Sequence, residues 1–346
     1  MSRRFRFAVA IASIGLIAIG AHHARAADAA AKTVVRFSLN PVVTGNLPIF
    51  IAIDKGYFAE QGIDLKLTKY GGSSVTQMPL AARGDLDITV MVAGPALFNQ
   101  KTEGFDLRIL ASMQQTHPGW TDGEYVMVRK DLWDSGAVRK LADLKGRQVD
   151  GGPDGSPISF VLNLALEKAG LKRSDVIYTK KFATPPDWIA GLRNHSVDAL
   201  AAADPIATVL EIQGYGKKLA SDQDVAPWLQ ISFLIASEKY VQDHRTTVAA
   251  FLKAYLKAAK DIDASGGKWT PELLHEMAKW TKISEADLQH IAGPSYYGQF
   301  GAISKVSLTR QQDYLVELGQ VKEKIDIDGL VDDGPLATAR HELGIH

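Results

Sequence analysis

Short apolar strands and helical segments alternate along this chain, and the alternation runs twice. Residues 33–39 (Thr-Val-Val-Arg-Phe-Ser-Leu) alternate as a half-buried strand does. A loop over 40–46 follows, and Pro48 opens a helix expected to reach Ala59. Residues 63–67 form a second alternating strand, and Gly71-Gly72-Ser73-Ser74 leads into a helix ending near Gly84. Residues 87–92 read as a buried strand, Gly94-Pro95 as a helix start, and 107–113 as a fourth strand. Such an order implies a parallel sheet with helices on both faces.

Residues 119–123 interrupt the pattern, and it resumes at Tyr125. Strands are expected at 147–150, 176–182 and 198–202, with helices at 157–169, 185–194 and 205–214. Residues 227–236 read as a return crossing. Beyond it the periodicity predicts helices over 238–264, 271–279 and 308–324. The loops after the strands carry Gly, Pro, Ser and Asn, and ligands of open α/β sheets sit outside those carboxyl ends.

The first residues bear on the compartment. Arg3, Arg4 and Arg6 precede an apolar run over residues 7–20, and Ala24-Arg25-Ala26 follows. Basic start, short apolar core and small-x-small ending make a secretory signal over residues 1–26. A spanning anchor takes about 20 apolar residues, and this run is shorter and soon meets His22 and His23. Ser2-Arg3-Arg4 suggests a twin-arginine signal, but Arg6 stands where that signal wants an apolar side chain. Cleavage after Ala26 removes four arginines, leaving 35 basic against 39 acidic side chains, a net charge of −4. That balance argues against a nucleic-acid partner. The chain has no cysteine, which removes a thiol nucleophile, a thiolate metal site and a lipidated anchor. A free periplasmic protein, monomeric and without cofactor, is the expectation.

Residues 47–65, Leu-Pro-Ile-Phe-Ile-Ala-Ile-Asp-Lys-Gly-Tyr-Phe-Ala-Glu-Gln-Gly-Ile-Asp-Leu, are distinctive. They resemble ABC-importer solute-binding proteins for sulfonates, nitrate and thiamine precursors. Arg83-Gly84-Asp85-Leu86-Asp87, Leu141-Ala142-Asp143-Leu144-Lys145-Gly146-Arg147, and Val197-Asp198-Ala199 followed by Asp204-Pro205 are similar to later elements of that family, in the same order. The resemblance implies a periplasmic binding protein fold of type II-like α/β build. It would have two lobes, a hinge and an interlobe cleft: 33–121 plus 233–346 as lobe 1, and 122–232 as lobe 2. It implies a small organic solute (sulfonate-, pyrimidine- or aromatic-acid-like) handed to an ABC permease. Sulfonate and nitrate members often carry an aromatic residue just before Asp-Pro. Here Ala201-Ala202-Ala203 stands there, which leaves the pocket roomier.

Candidate ligand contacts follow from helix starts, whose unpaired N–H groups favour anions. Ser73 or Ser74, Gly94, Gly155-Ser156, Thr184 and Asp204 stand at such starts, each equally able to serve its own helix alone. Asn46 can donate and accept toward a polar ligand, or simply turn the chain beside Gly45. Trp188 can stack on a ring or pack in the core. Trp120 can line the cleft or cover the hinge. Asp204, flanked by small alanines, is expected to be accessible and to accept from a donor-bearing ligand.

The sequence carries neither G-x-S-x-G nor a Walker phosphate loop. His341 to His346 misses H-E-x-x-H by one residue, and Asp326-Ile327-Asp328-Gly329 lacks the spacing of a calcium loop. His117 and His195 are lone. No catalytic or metal-ligating set is expected. An exported ligand sensor and a pyrimidine-precursor synthase-like enzyme are the competing readings, the second weakened by the missing cysteines.

Overall fold

The computed structural model describes residues 31–121, 123–182 and 184–345, so the expected signal over 1–26 lies outside the described residues. Ten strands build two sheets. β1 (Thr33–Leu39), β2 (Ile63–Lys69), β3 (Ile88–Val92) and β4 (Leu107–Gln115) come before a first crossing. β5 (Glu124–Arg129), β6 (Gln148–Asp150), β7 (Ile177–Thr179), β8 (Ala199–Ala203) and β9 (Gly216–Ser221) lie between the crossings. β10 (Gln230–Ser237) follows the second.

The first sheet has the order β2-β1-β3-β10-β4, the second β7-β6-β8-β5-β9. In each, four strands point one way and the strand in the fourth position runs against them. That fourth strand is always the one entering from a crossing: β10 pairs antiparallel with β3 and β4, and β5 with β8 and β9. The two sheets therefore share one plan, joined by two segments that run side by side, with Thr116 N donating to the Leu229 carbonyl at 2.8 Å.

Burial explains the elements. Val35, Phe37 and Leu39 alternate along β1 onto one face. They meet Phe251, Leu252 and Tyr255 of the helix Arg245–Asp263, whose buried residues recur every three or four positions. The Phe37 and Phe251 rings lie 5.4 Å apart. Met91, Phe233 and Ile235 occupy the other face against Leu97, Phe98, Leu308 and Leu315. In the second sheet Val126, Val128, Ala199 and Ala201 face the helix Pro157–Lys168. Tyr125, Met127, Leu200 and Ala202 face the opposite side.

Several boundaries differ from the sequence expectations, each for a local reason. The helix begun at Leu47 stops at Asp54 because Gly56 turns left-handed (φ 73°), and one further turn runs Tyr57–Glu60. The long helix expected over 238–264 is two helices, Glu238–Asp243 and Arg245–Asp263, broken at His244, whose backbone is not helical. The helix expected over 308–324 begins earlier, at Lys305, where Ser304 caps it, and ends at Glu317 before Gly319 (φ 69°). Residues 230–236, expected in the return crossing, belong to β10, every residue of which is buried.

Candidate functional site

The carboxyl ends of β1, β2 and β3 carry loops that begin at Asn40, Tyr70 and Ala93, and those of β6, β7 and β8 carry loops that begin at Gly151, Lys180 and Asp204. The two sets meet at glycines. A Cβ placed on Gly94 would lie 2.8 Å from the Gly155 carbonyl oxygen, and one on Gly155 would strike the Pro95 ring and come within 2.8 Å of Gln320 Oε1. Any side chain at these positions would hold the loops apart. Gly155 is also left-handed (φ 77°). A further bridge lies alongside: Tyr314 of the helix Lys305–Glu317 packs edge-on against Phe160 at 4.8 Å, and the Arg310 guanidinium stacks on Trp228 at 4.7 Å.

Gln114, near the end of β4, reaches between the sheets. Its Oε1 stands 2.6 Å from where a Gly45 Cβ would be, and its Nε2 2.6 Å from that of Gly123. Gly45 and Gly123 thus leave room for one amide reaching both halves. Beside it, Asp222 Oδ2 accepts from Thr116 Oγ1 (3.0 Å) and Gly123 N (3.1 Å), tying the two crossings together. The Gly123 carbonyl accepts from Asp204 N at 2.9 Å. Glu124 is 5 % exposed, and its Oε2 has no hydrogen-bond partner. Burial, then the nearby Asp222 and Asp204 carboxylates, push its pKa well above the usual range. Among the described residues no group of three or more His, Cys, Asp or Glu converges as a metal ion requires, so these three carboxyls do not form a cation cage.

The candidate residues divide. Asn46 is 2 % exposed; its Nδ2 donates to the Asn40 carbonyl at 2.7 Å while its Oδ1 has no partner. Ser73 Oγ accepts from Val75 N at 3.3 Å in its own turn. Ser74 is buried and bonded to β3, accepting from Val92 N at 3.2 Å. Ser156 caps its helix, accepting from Ser159 N (3.3 Å) and donating to the Pro153 carbonyl (2.7 Å). Thr184 is exposed and donates to Asp187 Oδ2 at 2.6 Å. Trp188 Nε1 donates to the Phe182 carbonyl at 3.2 Å, and its ring packs against both apolar clusters of the second sheet. Trp120 packs on Tyr296 beside the first crossing.

The accessibility expected for Asp204 is overturned. Its side chain is only 1 % exposed. Oδ1 accepts from Thr208 N (2.9 Å) and Thr208 Oγ1 (2.8 Å), and Oδ2 lies 3.5 Å from Lys218 Nζ. Burial raises its pKa, while Lys218, Thr208 and Tyr125 pull it down. The small alanines before it do not open a pocket, because Lys218 from β9 covers the carboxylate and stacks on Tyr125 at 3.8 Å. Pro205, expected as the first helical residue, instead occupies the cap position of the helix Ile206–Ile212.

Sequence reasoning missed Asp150, Gln114, Glu124 and Asp222. Asp150 is buried at the end of β6 and gathers two loops: it accepts from Gly152 N (2.8 Å), Lys181 N (2.8 Å) and Thr179 Oγ1 (2.5 Å). The available signal was a polar residue ending or opening an otherwise apolar strand, beside a crossing.

The comparisons bear on family and fold. The family model described as NMT1/THI5 like matches residues 43–265, well over half the chain. Bacterial relatives named as binding proteins include YtlA of Bacillus subtilis, 24 % identical over 228 residues (64 % of each chain). A Brucella abortus protein is 25 % identical over 299 residues, covering 80 % of this chain and 83 % of that one. Among solved structures, the periplasmic aliphatic sulphonate binding protein SsuA of Escherichia coli superposes with a TM-score of 0.70 at 20 % identity, covering 87 % of this chain and 92 % of that one. The periplasmic nitrate-binding protein NrtA of Synechocystis PCC 6803 gives 0.73 at 15 %, covering 90 % and 89 %. The desulfurization enzyme DszB gives 0.66 at 16 %, covering 90 % and 100 %. At these identities the solved structures establish the two-lobe binding-protein fold.

Proposed function

This chain belongs to the NMT1/THI5-like family, and from that premise we propose that it is the substrate-binding subunit of an ABC importer. It captures a small organic solute between its two sheets and presents the closed form to an inner-membrane permease. The observation that carries this reading is the doubled crossing between two sheets of one plan, whose loops approach closely at Gly94, Pro95 and Gly155. Such a pair can swing apart and close again about the two crossings, and ligands favour whichever state they contact better.

The division into lobe 1 (33–121 plus 233–346) and lobe 2 (122–232) is part of this proposal, as are the monomeric state and export through a signal cleaved after Ala26. Among the described residues no helix is long and apolar enough to cross a membrane. Catalysis on the pattern of DszB is disfavoured. One structure of that enzyme is a cysteine-to-serine variant, and this chain has no cysteine.

The test is native mass spectrometry of protein recovered from the periplasm, followed by small-angle scattering with and without the retained solute. We expect an intact mass beginning at Ala27, one solute per chain, and a smaller scattering radius when it is bound. An unchanged radius at saturation contradicts capture by closure. Turnover of the solute would move the protein to the enzymes.

A further inference from the structure

Resting on the capture reading above, we propose that the helix Lys305–Glu317 is a latch between the two halves, one that sets how tightly a solute is held without touching it. The helix serves two cores at once. Leu308 and Leu315 pack into the first sheet's cluster with Met91, Phe233 and Ile235, whereas Tyr314 packs against the second sheet's cluster. Arg310, Tyr314 and Glu317 recur at spacings of four and three, which puts them on one stripe of the helix.

The first half holds the helix firmly. Gln230, which opens β10, donates its N–H to Ser307 Oγ at 2.8 Å. Its Oε1 accepts from Ser304 N at 3.1 Å, and its carbonyl accepts from Gln311 Nε2 at 3.0 Å. The link to the second half is lighter. Phe160 meets Tyr314 edge-on at 4.8 Å and Trp228 edge-on at 6.2 Å, and the Arg310 guanidinium covers Trp228. Phe160 lies near the start of the helix Pro157–Lys168, just after the loop that carries Gly155. A swing about the crossings must therefore part or rejoin the Tyr314–Phe160 pair.

Magnitudes suit a latch that can release. An edge-on ring pair and an exposed cation over a ring each change an equilibrium only several-fold. Charge works against them: partial burial, then Glu317, raise the pKa of Glu167 on the last turn of the helix Pro157–Lys168. A contact of that size tilts the balance between open and closed without freezing it. Every solute then gains the same factor in affinity, whatever its own contacts in the cleft.

Cysteine placement reads the latch directly, because the chain has none of its own. Glu167 and Glu317 are exposed. With Glu167→Cys and Glu317→Cys in one chain, a short bismaleimide should join the two halves of the unliganded protein. Adding Tyr314→Ala should slow that cross-link about two- to tenfold, the scale of one ring pair. Tyr314→Phe, which keeps the ring, should restore it. Without the cysteines, calorimetry with the solute recovered from the periplasm should find Tyr314→Ala weaker by a similar factor and Tyr314→Phe equal to wild type. Thermal melts check folding, and Arg310→Ala, on an exposed residue, replaces Tyr314→Ala if that variant is unfolded. The latch is overturned if Tyr314→Ala leaves the cross-linking rate unchanged, or slows it with affinity unchanged. It is overturned equally if Tyr314→Phe loses as much affinity as Tyr314→Ala, since the hydroxyl would then be a ligand contact. A wild type that takes up no solute sinks the capture reading and the latch's role in affinity together; a cross-linking rate that still depends on Tyr314 tells that failure from failure of the contact itself.

Discussion

Gly94→Ala isolates closure from folding. Gly94 has φ 175°, extended backbone that alanine adopts freely, so the substitution costs neither half of the molecule by itself. Only the approach of the Gly155 loop forbids the methyl group: its carbon would sit 2.8 Å from a backbone carbonyl oxygen. A relaxed contact is roughly half an ångström longer, and a backbone atom cannot rotate aside as a side-chain tip can. Forcing one methyl group into a tight contact costs about 1–3 kcal/mol. That cost falls on the closed state alone, so affinity should drop between about fivefold and a hundredfold. The unliganded melting temperature should move little. Gly155→Ala is the contrasting variant: it meets Pro95 and also forces a left-handed alanine, worth about 1–2 kcal/mol, so it should lower both stability and affinity. Calorimetry with the solute recovered from the periplasm, together with scattering of the saturated variant, provides the readout. If Gly94→Ala binds as tightly as wild type with the same compaction, the Gly94–Gly155 approach is not part of the liganded state and the closure argument fails.

Three further substitutions probe other parts of the structure. Asp204→Asn should cost about 1–3 kcal/mol of stability, since Lys218 loses a charged partner, with affinity changed less than twofold; a tenfold loss of binding in a folded variant would return Asp204 to the ligand. Ser156→Ala should lower stability by about 1 kcal/mol through the lost cap while leaving affinity unchanged, because both hydrogen-bonding directions of the hydroxyl are used internally; weaker binding would contradict this. Glu276→Gln should make stability less dependent on pH. Burial and the adjacent Asp54 carboxyl push Glu276 up to about 7, so its contribution is full below about pH 4.5, where it is protonated folded or unfolded, and is lost as pH rises through about 7. The variant should match wild type in urea melts at pH 4.5 and exceed it at pH 8; a difference that does not change with pH refutes the pairing.

The strands were legible because their alternation is local, and the loops because glycine and proline punctuate them: Gly94-Pro95 and residues 151–156 stand where the sequence places them. What escaped depends on partners distant in sequence. β10 is an unbroken buried run, Gln-Ile-Ser-Phe-Leu-Ile-Ala-Ser, and such a run reads equally well as a crossing or as a strand between β3 and β4. Asp204 looked open because its neighbours are alanines, yet Lys218 lies 14 positions away and Thr208 four, and together they fill its oxygens. Glu124 offered one faint sign, a polar residue opening an otherwise apolar strand, but beside Gly123 it reads equally as loop. Only the pairing of β5 with β8 buries it among other carboxyls. A carboxylate satisfied by its own helix and a neighbouring lysine contributes to the fold, so residue type and small neighbours alone do not mark a ligand contact.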